Sequence, residues 1–217
     1  MRINRYVAAA TGMSRRAADR AVAEGRVTVN ATVATAGQDA QAEDTVALNG
    51  TPLALPVTQT ILFNKPAGYI VSRDGQGGTT IYDLLPPELH ILKPIGRLDK
   101  DSSGLLLLTN DGDLAQRLTH PSFAKEKVYE VLLNKSLQPA HYSQIEQGIQ
   151  LEDSLSRLQL QPLNDGAKAW QITMHEGRNR QIRRTFEALG YRVTRLRRIT
   201  FGSHKLGNVT PGNYRVI

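Results

Sequence analysis

The sequence predicts an α+β chain in two parts. A small N-terminal module of two helices and a small sheet precedes a larger domain on a largely antiparallel mixed sheet with flanking helices. Three observations predict it. Apolar residues recur at helical spacing near the start, short β-branched runs follow, and from Thr60 onward strand-like apolar runs are mixed with short helical segments. At 217 residues the chain has room for a medium domain plus a small one.

The elements follow in order. Ile3, Tyr6, Val7 and Ala10 share a helix face, and Gly12 is placed to end that helix. Ser14 can cap a second helix over Arg15 to Glu24 with Gly25 as its stop; Arg15, Arg16 and Arg20 lie together while Ala17, Ala18, Ala21 and Val22 supply the packing side. Strands are predicted at Val27 to Val29, Thr32-Val33 and Thr45 to Leu48. Asn49-Gly50 and Pro52 read as a turn entering a linker that ends near Pro56, so the expected domains are 1–50 and 57–217. In the second domain, Ile61 to Phe63 reads as a strand stopped at Asn64-Lys65-Pro66, and Ile81 to Leu85 as a short helix closed by Pro86-Pro87. The continuous run Leu105 to Leu108 suits a strand covered on both faces, and Asp113 is placed to cap a helix over Leu114 to Leu118. Lys127 to Leu133 alternates, with Tyr129, Val131 and Leu133 on one side. Further strands are expected at Leu158 to Leu160 and Ala169 to Met174, and helices at His141 to Gln147 and Arg180 to Leu189.

Composition narrows the function. There is no cysteine, and the five histidines are scattered, so neither a disulfide framework nor a zinc site at recognisable spacing is expected. The first residues lack the apolar core of a signal peptide, and no stretch approaches the length of a membrane span, so a cytoplasmic protein is expected. The formal charge of +7 is concentrated. Residues 175–205 hold eight arginines and one lysine against two glutamates, and residues 1–30 hold six arginines against two acids. Two separated basic blocks around a mildly acidic middle suit a polyanion partner better than two solvated helix faces do.

The sharpest motif is Gly96-Arg97-Leu98-Asp99-Lys100-Asp101-Ser102-Ser103-Gly104-Leu105. It places one acid, Asp99, on a turn-rich loop at the mouth of the buried strand, with the cation Arg97 two residues earlier. Asp101, Asp111 and Asp113 read more simply as turn or capping residues. Lys127-Val128-Tyr129 and Glu176-Gly177-Arg178-Asn179-Arg180-Gln181-Ile182-Arg183-Arg184 follow in order, and Asn64-Lys65-Pro66-Ala67-Gly68-Tyr69 precedes them. Together these four segments resemble the ribosomal RNA pseudouridine synthases of the RsuA and RluB type, and the first module resembles the S-four RNA-binding domain. The likeness covers nearly the whole chain.

The resemblance implies an isomerase that cleaves the bond between ribose and base nitrogen in a uridine, turns the base and rejoins it through carbon five, with no metal or organic cofactor. It implies Asp99 as nucleophile, Tyr129 as the stacking partner of the extracted base, Arg183 as the cation paired with the catalytic carboxylate, Arg97 as the residue that displaces the flipped nucleotide, and Leu196 as a pocket wall. Arg15, Arg16 and Arg20 in the module, and Arg178, Arg180 and Arg184 with Arg195, Arg197 and Arg198 in the larger domain, are expected to contact phosphates as groups. The expected partner is ribosomal RNA, free or in assembling subunits, bound by a monomer. The wording of residues 179–184 sits closer to enzymes of the large subunit than of the small. A non-catalytic RNA-binding assembly protein with the same fold is the alternative. Retention of Asp99, Tyr129 and Arg183 together favours the enzyme.

Overall fold

The computed structural model describes residues 1–119 and 125–217, and His120 lies outside them. Two compact units divide the chain, Met1–Thr58 and Gln59–Ile217.

In the first unit, α1 (Ile3–Thr11) ends at Gly12, whose left-handed backbone returns its N–H to the Ala8 carbonyl. Ser14 caps α2 (Arg15–Ala23) by accepting a hydrogen bond from the Ala17 amide. Strands β1 (Val27–Val29), β2 (Thr32–Val33), β3 (Val46–Leu48) and β4 (Thr51–Pro52) form an antiparallel sheet in the order β2-β1-β3-β4. The sequence reading of Pro52 as linker is corrected here. Thr51 and Pro52 pair with Leu48 and Ala47 across the Asn49-Gly50 turn, because an edge position asks no ladder N–H of proline. The helices and sheet enclose one core of Ile3, Val7, Ala18, Ala21, Val27 and Val46. Small side chains dominate it.

The second unit is built on a sheet that holds nine strands among the described residues. Its strands in chain order are β5 (Thr60–Lys65), β6 (Lys93–Ile95), β7 (Ser103–Thr109), β8 (Lys127–Leu133), and, after the two-stranded ribbon of β9 (Ile149–Gln150) and β10 (Leu155–Ser156), β11 (Gln159–Pro162), β12 (Ala169–Met174), β13 (Val193–Phe201), β14 (His204–Lys205) and β15 (Tyr214–Val216). The order is β11-β12-β8-β13-β7-β5-β15, with β6 paired to β7 and β14 to β13. Every pairing is antiparallel except β13 with β7. Helices α3 (Gly112–Thr119), α4 (Pro139–Gln147) and α5 (Gln181–Glu187) and three 3₁₀ turns, Gly75–Gly77, Ile81–Leu84 and Pro87–Ile91, complete it among the described residues. The cap of α3 is Asp111, which accepts from the Asp113 and Leu114 amides, and not Asp113.

The sheet is packed on both faces around β7, which explains its unbroken leucines. Leu106 and Leu108 join the main core with Phe63, Ile81 and Ile172, while Leu105 and Leu107 turn to a second cluster with Leu62, Ile95 and Phe201. Leu105 through Leu108 are fully buried, and truncating any one to alanine should cost about 2–5 kcal/mol.

Gly104 sits opposite Arg198 where β7 pairs with β13. Its φ is +102°, and a Cβ there would lie 2.2 Å from the Arg198 carbonyl oxygen and 2.7 Å from the Arg198 amide nitrogen. Gly104→Ala should therefore destabilise the unit by at least about 1–3 kcal/mol in urea unfolding. A midpoint equal to wild type would show that the two strands can part at no cost.

Candidate active site

One cleft of about 1040 Å³ is bordered by the loop before β7, by β8 and β13, and by the segment 175–182 leading into α5. Each border has a local cause. Leu98 is buried, and the Ser102 amide donates to the Asp99 carbonyl at 3.0 Å, so the segment closes into a turn whose ends, Asp99 and Ser102, border the cleft. On β8 the two-residue period turns Tyr129 inward, with its Cα opposite Ile172 on one side and Arg198 on the other. Leu196 faces Val131 across the β13–β8 ladder.

The loop is tied down from below by a lysine. Lys65, the last residue of β5, is fully buried, and its Nζ donates to the carbonyls of Ser102 at 2.7 Å, Pro66 at 3.0 Å, Asp99 at 3.1 Å and Lys100 at 3.3 Å. Burial pushes its ammonium down to about 8, while the charges of Asp101 and Asp99 pull the other way.

Asp99, Arg97, Tyr129 and Leu196 all border the cleft. The Asp99 side chain is 34% exposed, and its carboxylate has one ionic contact among the described residues, Arg180 Nη1 at 3.6 Å. Arg97 is exposed, with no hydrogen bond or ion pair to a described residue. Tyr129 and Leu196 are buried, and the Tyr129 hydroxyl has no hydrogen-bond partner among the described residues.

Arg183 does not pair with Asp99. Its Nε lies 3.2 Å from the Asp101 carboxylate, its Nη2 donates to the Asp101 carbonyl at 3.1 Å, and its Nη1 to the Val193 carbonyl at 2.8 Å. The expected ion pair of Arg183 with the candidate nucleophile is thus replaced by one to the carboxylate two residues on. Arg180 grips Asp101 as well, with Nη1 and Nη2 at 3.1 and 3.3 Å. Burial opposes ionisation of Asp101, but the Arg180 hydrogen bond and the charges of Arg183 and Arg180 hold its carboxyl below the ordinary value.

Other expected phosphate ligands are engaged inside the protein. Arg178 and Arg184 share Asp153, and Arg197 pairs with Glu130 at 3.2 Å. Arg198 is 3% exposed; its Nε donates to the Leu105 carbonyl and its guanidinium lies 4.9 Å from the Phe201 ring. Arg15, Arg16 and Arg20 are exposed on α2.

Sequence reasoning missed two residues of this site. Lys65 carried a signal, a lysine closing an apolar strand just before proline. Asp101 carried none, because its partners lie about eighty positions away.

The chain belongs to the RNA pseudouridylate synthase family, whose model matches residues 59–188, and an S4 domain matches residues 1–46. It is 36% identical to a protein of Aquifex aeolicus named as an uncharacterized RNA pseudouridine synthase, covering 99% of this chain and 89% of that one. Identity is again 36% to ribosomal large subunit pseudouridine synthase B of Bacillus subtilis, covering 99% and 91%. It is 37% to the enzyme of that name from Pseudomonas aeruginosa, of which this chain spans only 55%. A crystal structure of a pseudouridylate synthase superposes with a TM-score of 0.71 at 31% identity, over all of this chain and 96% of that one.

The lysine beneath the loop makes a pH prediction. Between about pH 8 and the ordinary lysine value of 10.5, the unfolded chain keeps a proton that the folded chain sheds, so stability at this site rises with pH across that window. Wild type should gain on the order of 3 kcal/mol over Lys65→Met between those limits in urea unfolding. A constant difference would contradict the buried ammonium.

Proposed function

We propose that this protein isomerises uridine to pseudouridine in ribosomal RNA, with the large-subunit RNA as its target, residues 57–217 as the catalytic domain and residues 1–50 as the RNA-binding module. The observation that carries the reading is Asp99 at the cleft, loosely paired and partly exposed, with a buried aromatic and a buried leucine on the neighbouring strands. The names of the Bacillus and Pseudomonas relatives supply the choice of large subunit.

In this reading the target uridine leaves its stack and enters the cleft, where the Tyr129 ring stacks on the base and Leu196 bounds it. Arg97, exposed and unpaired among the described residues, takes up the space the nucleotide vacates. The Asp99 carboxylate is the nucleophile while the bond from ribose to base nitrogen breaks. The base turns, the bond to Asp99 breaks as carbon five bonds to the ribose, carbon five gives up its proton and the freed ring nitrogen takes one up, so the product is an isomer and no electrons or phosphoryl groups change hands. Arg15, Arg16 and Arg20 hold phosphates from α2, and Arg180, more exposed than Arg178 and Arg184, does so at the cleft. Arg178 and Arg184 are fixed by Asp153, and Arg178 borders the cleft. The protein acts as a cytoplasmic monomer.

Mapping pseudouridine in both ribosomal RNAs with and without the gene tests the assignment. One or more large-subunit sites should disappear; an unchanged map supports the non-catalytic assembly protein instead. Purified Asp99→Asn should bind RNA with wild-type affinity and form no product, and turnover near wild type would mean that another acid is the nucleophile. Replacing Arg15, Arg16 and Arg20 by alanine should weaken RNA binding and flatten its dependence on salt by roughly one unit of log-log slope for each phosphate that α2 no longer holds. An unchanged slope would remove α2 from the interface.

A further inference from the structure

We propose that Arg198 is a further catalytic residue, whose guanidinium receives a carbonyl oxygen of the extracted uracil and stabilises the negative charge that the base gathers when its bond to ribose breaks. The inference rests on the reading of this cleft as the place where a uridine is isomerised.

Arg198 is 3% exposed and borders the cleft. A guanidinium carries N–H donors on every nitrogen, and here Nε alone is bonded among the described residues, to the Leu105 carbonyl at 2.8 Å. Neither terminal nitrogen donates to a described residue, and Nη2 is enclosed by protein without a partner. The Phe201 ring, 4.9 Å from the guanidinium carbon, attracts the charge but offers no lone pair to an N–H. Donors left unmet this deep cost stability, and an acceptor brought in by a ligand is the compensation that a cleft allows.

The place of Arg198 in the sheet selects the acceptor. Its Cα is paired with that of Tyr129 on β8, and Leu196 lies two residues before it on β13, so the three side chains start from one face of the sheet. A base stacked on Tyr129 and bounded by Leu196 has Arg198 at its edge, where uracil carries its carbonyl oxygens. Lys127 adds a second cation to this corner. Its Nζ lies 5.7 Å from the Phe201 ring and is held by the carbonyls of His175 at 3.2 Å and of Lys125 and Glu176 at 3.3 Å. Burial and then the charge of Arg198 lower its pKa from the ordinary lysine value, against the pull of Glu176. Two cations that repel each other beside an aromatic ring suit a ligand that turns negative.

The reaction supplies that charge. When the bond between ribose and base nitrogen breaks, its electron pair stays on the base and spreads to the carbonyl oxygens, while a lone pair of Asp99 fills the ribose carbon. When carbon five bonds to the ribose, the carboxylate leaves with its own pair and the base gives up its charge. Donors fixed in advance where the charge develops speed the cleavage.

The test is single-turnover kinetics on RNA fragments that carry the mapped uridine, or 2-thiouridine or 4-thiouridine in its place. Arg198→Met should lower the rate on uridine by roughly 100- to 1000-fold with RNA affinity within about twofold of wild type, because the contact forms only once the base is in the cleft. Sulfur is a weaker acceptor than oxygen but carries negative charge better, so leaving-group chemistry alone makes both thio bases react at least as fast as uridine. With wild type, sulfur at the carbonyl that Arg198 meets should instead slow the reaction roughly tenfold, and the same atom should cost Arg198→Met less than about twofold. Arg198→Lys, which keeps the buried charge and serves where the methionine variant fails to fold, should show the same indifference to sulfur. A merely structural arginine predicts equal losses on oxygen and sulfur. Wild type that converts both thio bases as fast as uridine, or variants with equal losses on all three, overturns the inference. So does weaker RNA binding with a shallower salt dependence in Arg198→Met, which marks a phosphate site. Wild type that makes no pseudouridine overturns the proposed function, and the inference falls with it.

Discussion

A lysine ammonium under a loop is the interaction on which the site depends. Lys65 ends a strand whose six residues are all buried, and it holds its charge there against four backbone carbonyls, three of them from the segment Asp99 to Ser102. A charge removed from water costs several kcal/mol unless hydrogen bonds replace its hydration. Here the turn that presents the candidate nucleophile supplies three of the four acceptors, which ties the turn to the ammonium, while the lowered pKa marks the part of the hydration that they do not replace. A loop fixed by a rigid strand at one end and by an ammonium beneath can hold a side chain at set geometry before substrate arrives.

The sheet then decides what that loop faces. The β7–β13 pair is the parallel one, and only a glycine at position 104 lets the strands come as close as they do. Through this contact the start of β7 lies beside Arg197 and Arg198, and β13 in turn aligns Leu196 with Val131 and Arg198 with Tyr129. Residues more than ninety positions apart thereby border one cleft. Across the cleft, α5 brings two arginines to the loop's second acid.

Much of this fold could be read in the sequence where one pattern ruled. Lys127 to Leu133 alternates cleanly and is the strand expected; Leu105 to Leu108 is unbroken and is buried on both faces. The central strand β13 escaped detection because Arg195, Arg197 and Arg198 interrupt its apolar positions. Its burial of Arg198 depends on a carbonyl and an aromatic ring that no local pattern shows. Pro52 reads as a linker only until its edge position is known. For the site, Asp99, Tyr129, Arg97 and Leu196 come from motifs and do meet at one cleft. The partner of Arg183 could not be read, since Asp99 and Asp101 are equally near in sequence and only the course of α5 selects between them.

The claim that the Lys65 ammonium holds the Asp99 turn is tested most directly by amide hydrogen exchange in wild type and Lys65→Met. The Ser102 amide, bonded to the Asp99 carbonyl, and the Gly68 amide, bonded to the Lys100 carbonyl, are the reporters, with Leu106 in the strand core as the control. Ser102 and Gly68 should lose protection by a factor of roughly ten or more while Leu106 keeps its own. Equal protection of the loop amides in both proteins would contradict it.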